Sequence, residues 1–273
     1  MKLQTIVDIP ASPWKISYED KILLVGSCFS DEIGAQMQQR YLHVTCNPFG
    51  TLYNPLSIAQ AINYQLPMTN DQLPLVEYDG LWHSMAHHGS FSRANREEAG
   101  QAVRGSIETM QQALKEATVV IVTFGTAWVY EKEGAIVGNC HKLPESCFTR
   151  RRLTVEEIVA TWQPILAQYP DKHWLFTVSP IRHIRDGLHE NQLSKATLLQ
   201  AVEQLGDYFP SYEIMLDELR DYRFYADDLV HPSSMAVNYI WERFVDCFCT
   251  NQTKNELVLQ HKRWKHEHHI LLH

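Results

Sequence analysis

At 273 residues, 45% hydrophobic and 21% charged, the chain has the composition of a globular protein with enough apolar residues for a full core. Its formal charge of −8 argues against nucleic acid or an anionic membrane as a partner, and no stretch approaches the roughly 18 apolar residues of a membrane span. Asp8 and Pro10 interrupt any signal-peptide core, and six cysteines without a tight framework read as free thiols, so the expected location is the cytoplasm.

Taken in chain order, Ile22–Val25 is the first predicted strand, a buried apolar run closed by Gly26. Ile33, Met37 and Tyr41 recur at helical spacing behind it, with Asp31 and Glu32 in a first turn. Asn54 and Pro55 mark the cap and first position of a second helix. A hairpin turns at Asp79-Gly80, a long helix covers residues 94–117, and Val119–Phe124 is the second apolar strand. Another hairpin spans 128–137 around Glu133-Gly134, and the basic run Arg150-Arg151-Arg152 reads as a solvated loop. Thr154 opens a helix to about Tyr169, and the strand "HWLFTV" follows it. Ser194–Phe209 and Ser234–Cys249 read as helices, "YEIML" between them as a fourth strand, and 251–273 as a helical tail.

Strands alternating with helices of ten or more residues define an α/β fold, a three-layer α/β/α sandwich on a mostly parallel sheet, with small hairpin insertions. With no internal repeat or low-complexity linker, one domain over 1–273 is expected. In such a sheet, ligands collect at the carboxyl ends of the strands. Gly26-Ser27-Cys28, Gly125-Thr126-Ala127 and Ser179-Pro180 all follow predicted strands and should meet there.

Asp228 and His231 are separated by two residues in "YADDLVHPS", so one turn can present a carboxylate to an imidazole. Ser27 and Cys28 are the adjacent candidate nucleophiles; either needs a base, and a helix N-terminus would favour a Cys28 thiolate. Asp227 competes with Asp228 at a less suitable spacing. His141, Lys142, Arg182, His183 and Arg185 are candidate binders of a carboxylate or phosphate. His266, His268 and His269 sit in a charged tail without metal-site spacing, and no phosphate loop or dinucleotide fingerprint occurs, so no metal or cofactor is expected.

"VGSCFS" resembles the signature of the GSCFA family, an uncharacterised bacterial family similar to the SGNH/GDSL hydrolases. The blocks "NPFGTLYNP", "TFGTAWVY", "GNCHKLP", "SPIRHIRDGLHENQLSK" and "FYADDLVHPS" are also similar to that family's. The resemblance implies an SGNH-hydrolase-like, flavodoxin-like sheet. By register it places Cys28 at the nucleophile position, Ser27 at the preceding aspartate position, and Asp228 and His231 at the orienting and base positions. It implies Gly50 as one oxyanion-hole donor. The asparagine of the third block is absent after Gly125, which leaves Thr126, or Asn139 from elsewhere, as its replacement. The expected function is hydrolysis or transfer of an acyl group on a small or acylated substrate, such as an ester, thioester or O-acetyl group. The alternative is a binding protein that keeps the pocket without the chemistry.

Overall fold

A computed structural model describes residues 4–66 and 72–268. Strand β1 (Lys21–Gly26) runs into helix α1 (Cys28–Gln38), followed by β2 (His43–Cys46) and α2 (Pro55–Ile62). A hairpin of β3 (Leu75–Tyr78) and β4 (Leu81–Ser84) precedes the long α3 (Arg96–Glu116) and β5 (Val119–Phe124). Then come β6 (Trp128–Lys132), β7 (Ala135–Val137) and β8 (Thr149–Arg152), which pair among themselves, and α4 (Val155–Gln168). The chain continues through β9 (His173–Val178), α5 (Leu188–Val202) and β10 (Asp207–Phe209). A single turn, α6 (Ser211–Glu213), passes into the π-helical turn Ile214–Glu218, and α7 (Ser234–Phe248) and α8 (Asn251–Glu267) follow.

The central sheet has the order β2-β1-β5-β9-β10, every pair parallel. This is the doubly wound order 2-1-3-4-5. Alternation along β1 sends Leu23 and Val25 to a core shared with α2, α3, α4 and α5, and Ile22 and Leu24 to a second core shared with α1, α7 and α8. Three layers result. The cap signals hold: Asn54 Oδ1 accepts from Ser57 N–H at 2.8 Å, and Thr154 forms a reciprocal capping box with Glu157. Both hairpin turns carry two successive residues at positive φ, Asp79-Gly80 and Glu133-Gly134, as a tight turn with the strands' own twist requires.

Several expectations are corrected. Tyr41 lies outside α1 at φ 56°, where Leu42 N–H closes back on the Met37 carbonyl at 3.2 Å and ends the helix. The predicted helix over Ser194–Phe209 is displaced: α5 begins at Leu188 and ends at Val202, and residues 207–209 form the edge strand β10. "YEIML" is helical, not a strand; Pro210 opens that turn, and Ile214 and Met215 are buried against the α7 side. β2 was not anticipated. The run Arg150-Arg151-Arg152 is no solvated loop but part of β8, where the three side chains pair with Asp186, with Glu131 and Glu157, and with Glu190. The tail is helical to Glu267, and residues 269–273, with His269, lie outside the described residues. Among the described residues no helix is long and apolar enough to cross a membrane.

Candidate active site

The turn after β1 is fixed by a close approach that only glycine allows. Gly26 has φ 138°, and a Cβ there would stand 2.2 Å from the Thr123 carbonyl oxygen. Its N–H donates to Asn47 Oδ1 at 2.8 Å, its carbonyl accepts from Leu52 N–H at 2.9 Å, and Ser27 N–H donates to Thr123 O at 3.1 Å. Asn47 continues the brace through its amide to Asp31 on α1, at 2.7 Å. The turn after β1 is therefore held from β5, from the loop after β2 and from its own helix.

Ser27 and Cys28, equivalent in the sequence, part company here. Ser27 is the N-cap of α1, yet its side chain makes no capping bond, and its buried Oγ has no hydrogen-bond partner. Cys28 opens the helix and lines a cavity of about 660 Å³ at the carboxyl edge of the sheet. The expectation of a ready-made thiolate is not met. Burial, then the nearby Asp31, push the Cys28 thiol above its usual range, and the N–H groups of Cys28 and Phe29 only partly offset them. A thiol so placed needs a base.

An imidazole paired with a carboxylate lines the same cavity. Asp228 Oδ2 lies 2.6 Å from His231 Nδ1, while Oδ1 accepts the N–H groups of Val230 at 2.9 Å and His231 at 3.0 Å. These three bonds hold the Asp228 carboxyl down at about 2. Its charge favours the tautomer with the imidazole proton on Nδ1, which makes Nε2 the acceptor nitrogen. Leu229, at φ 56°, makes the tight turn between the two residues possible, and Ser233 caps α7 behind them. His231 pairs with Asp228, not with Asp227. His231 and Cys28 line one cavity.

The remaining expected residues divide. Thr126 and Asn139 line the cavity. The N–H groups of Gly125 and Thr126 both donate to the Tyr53 carbonyl, at 2.8 and 2.9 Å, and Thr126 Oγ1 lies 3.1 Å from Ser194 Oγ. Asn139 Oδ1 accepts from His141 N–H at 2.8 Å, which leaves the amide NH2 as the end able to donate. Gly50 does not reach the cavity; its N–H closes a turn on Asn47 O at 2.7 Å, and its φ of 74° is accommodated beside His88. His141 also falls away, its Nε2 bonded to the Ser84 carbonyl at 2.8 Å and its ring kept neutral by burial. Lys142, Arg182, His183 and Arg185 all line the cavity.

Sequence reasoning did not foresee the burial of Lys195. Only 1% exposed, its Nζ donates to the Gly125 carbonyl at 2.8 Å and the Ser179 carbonyl at 2.7 Å. It therefore clamps the chain just beyond the ends of β5 and β9, under the site. Burial lowers its amine to about 7, and the neighbouring Cys28 opposes the shift. Its neighbour Ser194 receives Ala127 N–H at 2.8 Å, so α5 fastens the loop after β5 twice. His183 is half-buried on the wall, its Nε2 covered and without a partner and its ring lowered to about 3 by burial. Nothing local in the sequence marks either residue as buried.

The unpartnered Ser27 hydroxyl leads to an expected result. Ser27→Ala should leave stability unchanged or raise it by up to about 1 kcal/mol, whereas replacing a bonded N-cap serine costs about 1 kcal/mol. Urea unfolding measures it; a clear loss would show that the hydroxyl is bonded in solution.

Together these features define an α/β protein with a thiol, an imidazole and a carboxylate at the carboxyl edge of a parallel sheet. The chain belongs to the GSCFA family, whose pattern matches residues 21–244. No curated protein matches it.

Proposed function

We propose that the chain is an acyl hydrolase or acyltransferase of the SGNH kind, with Cys28 as nucleophile, His231 as base and then general acid, and Asp228 as the group that orients the imidazole. The observation that carries this reading is the 2.6 Å Asp228–His231 pair on the same cavity wall as Cys28. His231 Nε2 takes the thiol proton as sulfur attacks the carbonyl carbon, and returns it to the leaving alcohol or thiol; a water or second alcohol then cleaves the thioester. The Cys28 N–H and the Asn139 amide are the donors for the developing oxyanion, with Gly50 excluded by its bond to Asn47. The substrate is a small or acylated molecule, and neither nucleic acid nor a membrane surface is its partner.

A panel of short chromogenic esters and thioesters tests the reading. Cys28→Ala and His231→Ala should each lose about a hundredfold or more in turnover, while Ser27→Ala keeps it. Hydrolysis that persists in Cys28→Ala would move the chemistry elsewhere. A second reading has its own support. The N–H groups after β5 are already taken by Tyr53, and the thiol is held protonated, as suits a binding protein that has lost catalysis. Absence of any Cys28-dependent turnover across the panel would favour it.

A further inference from the structure

The cavity wall is positive in a chain whose formal charge is −8. It carries four cations, Lys142, Arg150, Arg182 and Arg185, against Glu145 and Asp186. Arg150 is matched by Asp186, with one contact at 2.5 Å, and Arg185 by Glu145. Lys142 and Arg182 have no acidic partner among the described residues. Lys142 is exposed and held at φ 61°, directly after His141 at φ 48°, two successive left-handed residues that are costly outside glycine. Arg182 lies flat on Tyr225, 4.2 Å from the ring centre, and donates to the Leu229 carbonyl inside the Asp228–His231 turn. Its Nε is buried without a partner, as are Trp128 Nε1, Arg150 Nε, the Tyr130 hydroxyl and His183 Nε2 on the same wall. Orphaned buried polar groups are rare in folded proteins, and here they gather around one cavity and are mostly donors.

Cations without carboxylates on a cavity wall call for an acceptor-rich anion. We infer that the cavity takes acyl substrates bearing an acid group, carboxylate or phosphate, held between Lys142 and Arg182 while the acyl carbon lies at Cys28. This rests on the acyl-transfer reading for what happens at Cys28, not for what is held beside it. Because Arg182 also fastens the turn that carries His231, the bound anion and the base share one anchor.

Alkylation of Cys28 tests the inference without turnover. Neutral iodoacetamide and anionic iodoacetate attack the same sulfur, so their rate ratio, read at the Cys28 peptide by mass spectrometry, reports the charge of the cavity. The iodoacetate-to-iodoacetamide ratio should exceed that of free 2-mercaptoethanol by about fivefold or more and fall several-fold in Lys142→Ala, as expected of a charge pair in a partly screened site. A ratio no higher than the free thiol's, or one that Lys142→Ala leaves in place, overturns the inference. Where the ratio is raised, protection of Cys28 by glutarate or by inorganic phosphate tells which acid group is preferred. If Cys28 resists both reagents, a rise in Tm with millimolar glutarate or phosphate, absent in Lys142→Ala, supports the inference, and no rise overturns it. Hydrolysis of neutral esters through Cys28 with no iodoacetate preference would keep the catalytic reading and discard this one.

Discussion

Lys195→Ala should lower the unfolding free energy by about 3–5 kcal/mol, the sum of a cavity in the core and two carbonyls left without donors. For a chain of this size that is a fall of roughly 10 °C in Tm. The loss should also depend on pH. In the fold the amine sits near 7, against 10.5 when unfolded, so between those values the unfolded chain binds a proton that the folded chain does not. Stability from this residue therefore rises as pH increases from about 7 toward 10.5 and is lowest once the buried amine is protonated. A neutral amine still has two N–H donors, enough for the carbonyls of Gly125 and Ser179. The gap between wild type and Lys195→Ala should widen from pH 6 to pH 9 in chemical denaturation. A constant gap would mean that the amine is charged throughout.

Asp228→Asn should cost roughly a thousandfold in turnover while hardly changing stability, since both side chains of the pair are half exposed. An asparagine can still accept the N–H groups of Val230 and His231, so the turn survives. Its NH2, however, would face His231 Nδ1 and force the ring proton onto Nε2, where it blocks uptake of the thiol proton. The Asp228 carboxyl is held at about 2, so the carboxylate is charged at every working pH, and the loss should appear across the whole range from about 4 to 9. Turnover within tenfold of wild type would remove Asp228 from the mechanism.

Much of this architecture was legible in the sequence because its signals are local. The strands β1, β5 and β9 are buried on both faces and so read as unbroken apolar runs. Asn54, Thr154 and the two glycine turns act on their own few residues, and the structure keeps them where they were read. The failures are non-local. α5 starts behind Gly187 with no capping side chain to announce it, and β10 is three residues long, recognisable only by its pairing with β9. "YEIML" has the residue types of a strand, but the chain turns helical directly after Pro210 and buries Ile214 and Met215 on the α7 side. In the site, the Asp228–His231 pairing was legible because it closes over two intervening residues. The raised Cys28 thiol and the buried Lys195 depend on what distant elements bring to them, and no spacing rule reaches that far.

The three-stranded sheet of β6, β7 and β8 has a consequence for how such a site can change. It is inserted between β5 and α4, pairs with no strand of the central sheet among the described residues, and supplies Trp128, Tyr130 and Arg150 to the cavity. The thiol and imidazole come instead from the ends of β1 and the loop before α7. Much of the cavity lining thus comes from a stretch of chain separate from those that carry the thiol and the imidazole. A graft exchanging residues 128–152 between relatives would replace Trp128, Tyr130, Asn139, Lys142 and Arg150 in the cavity while keeping Cys28, Asp228 and His231 on the elements that carry them.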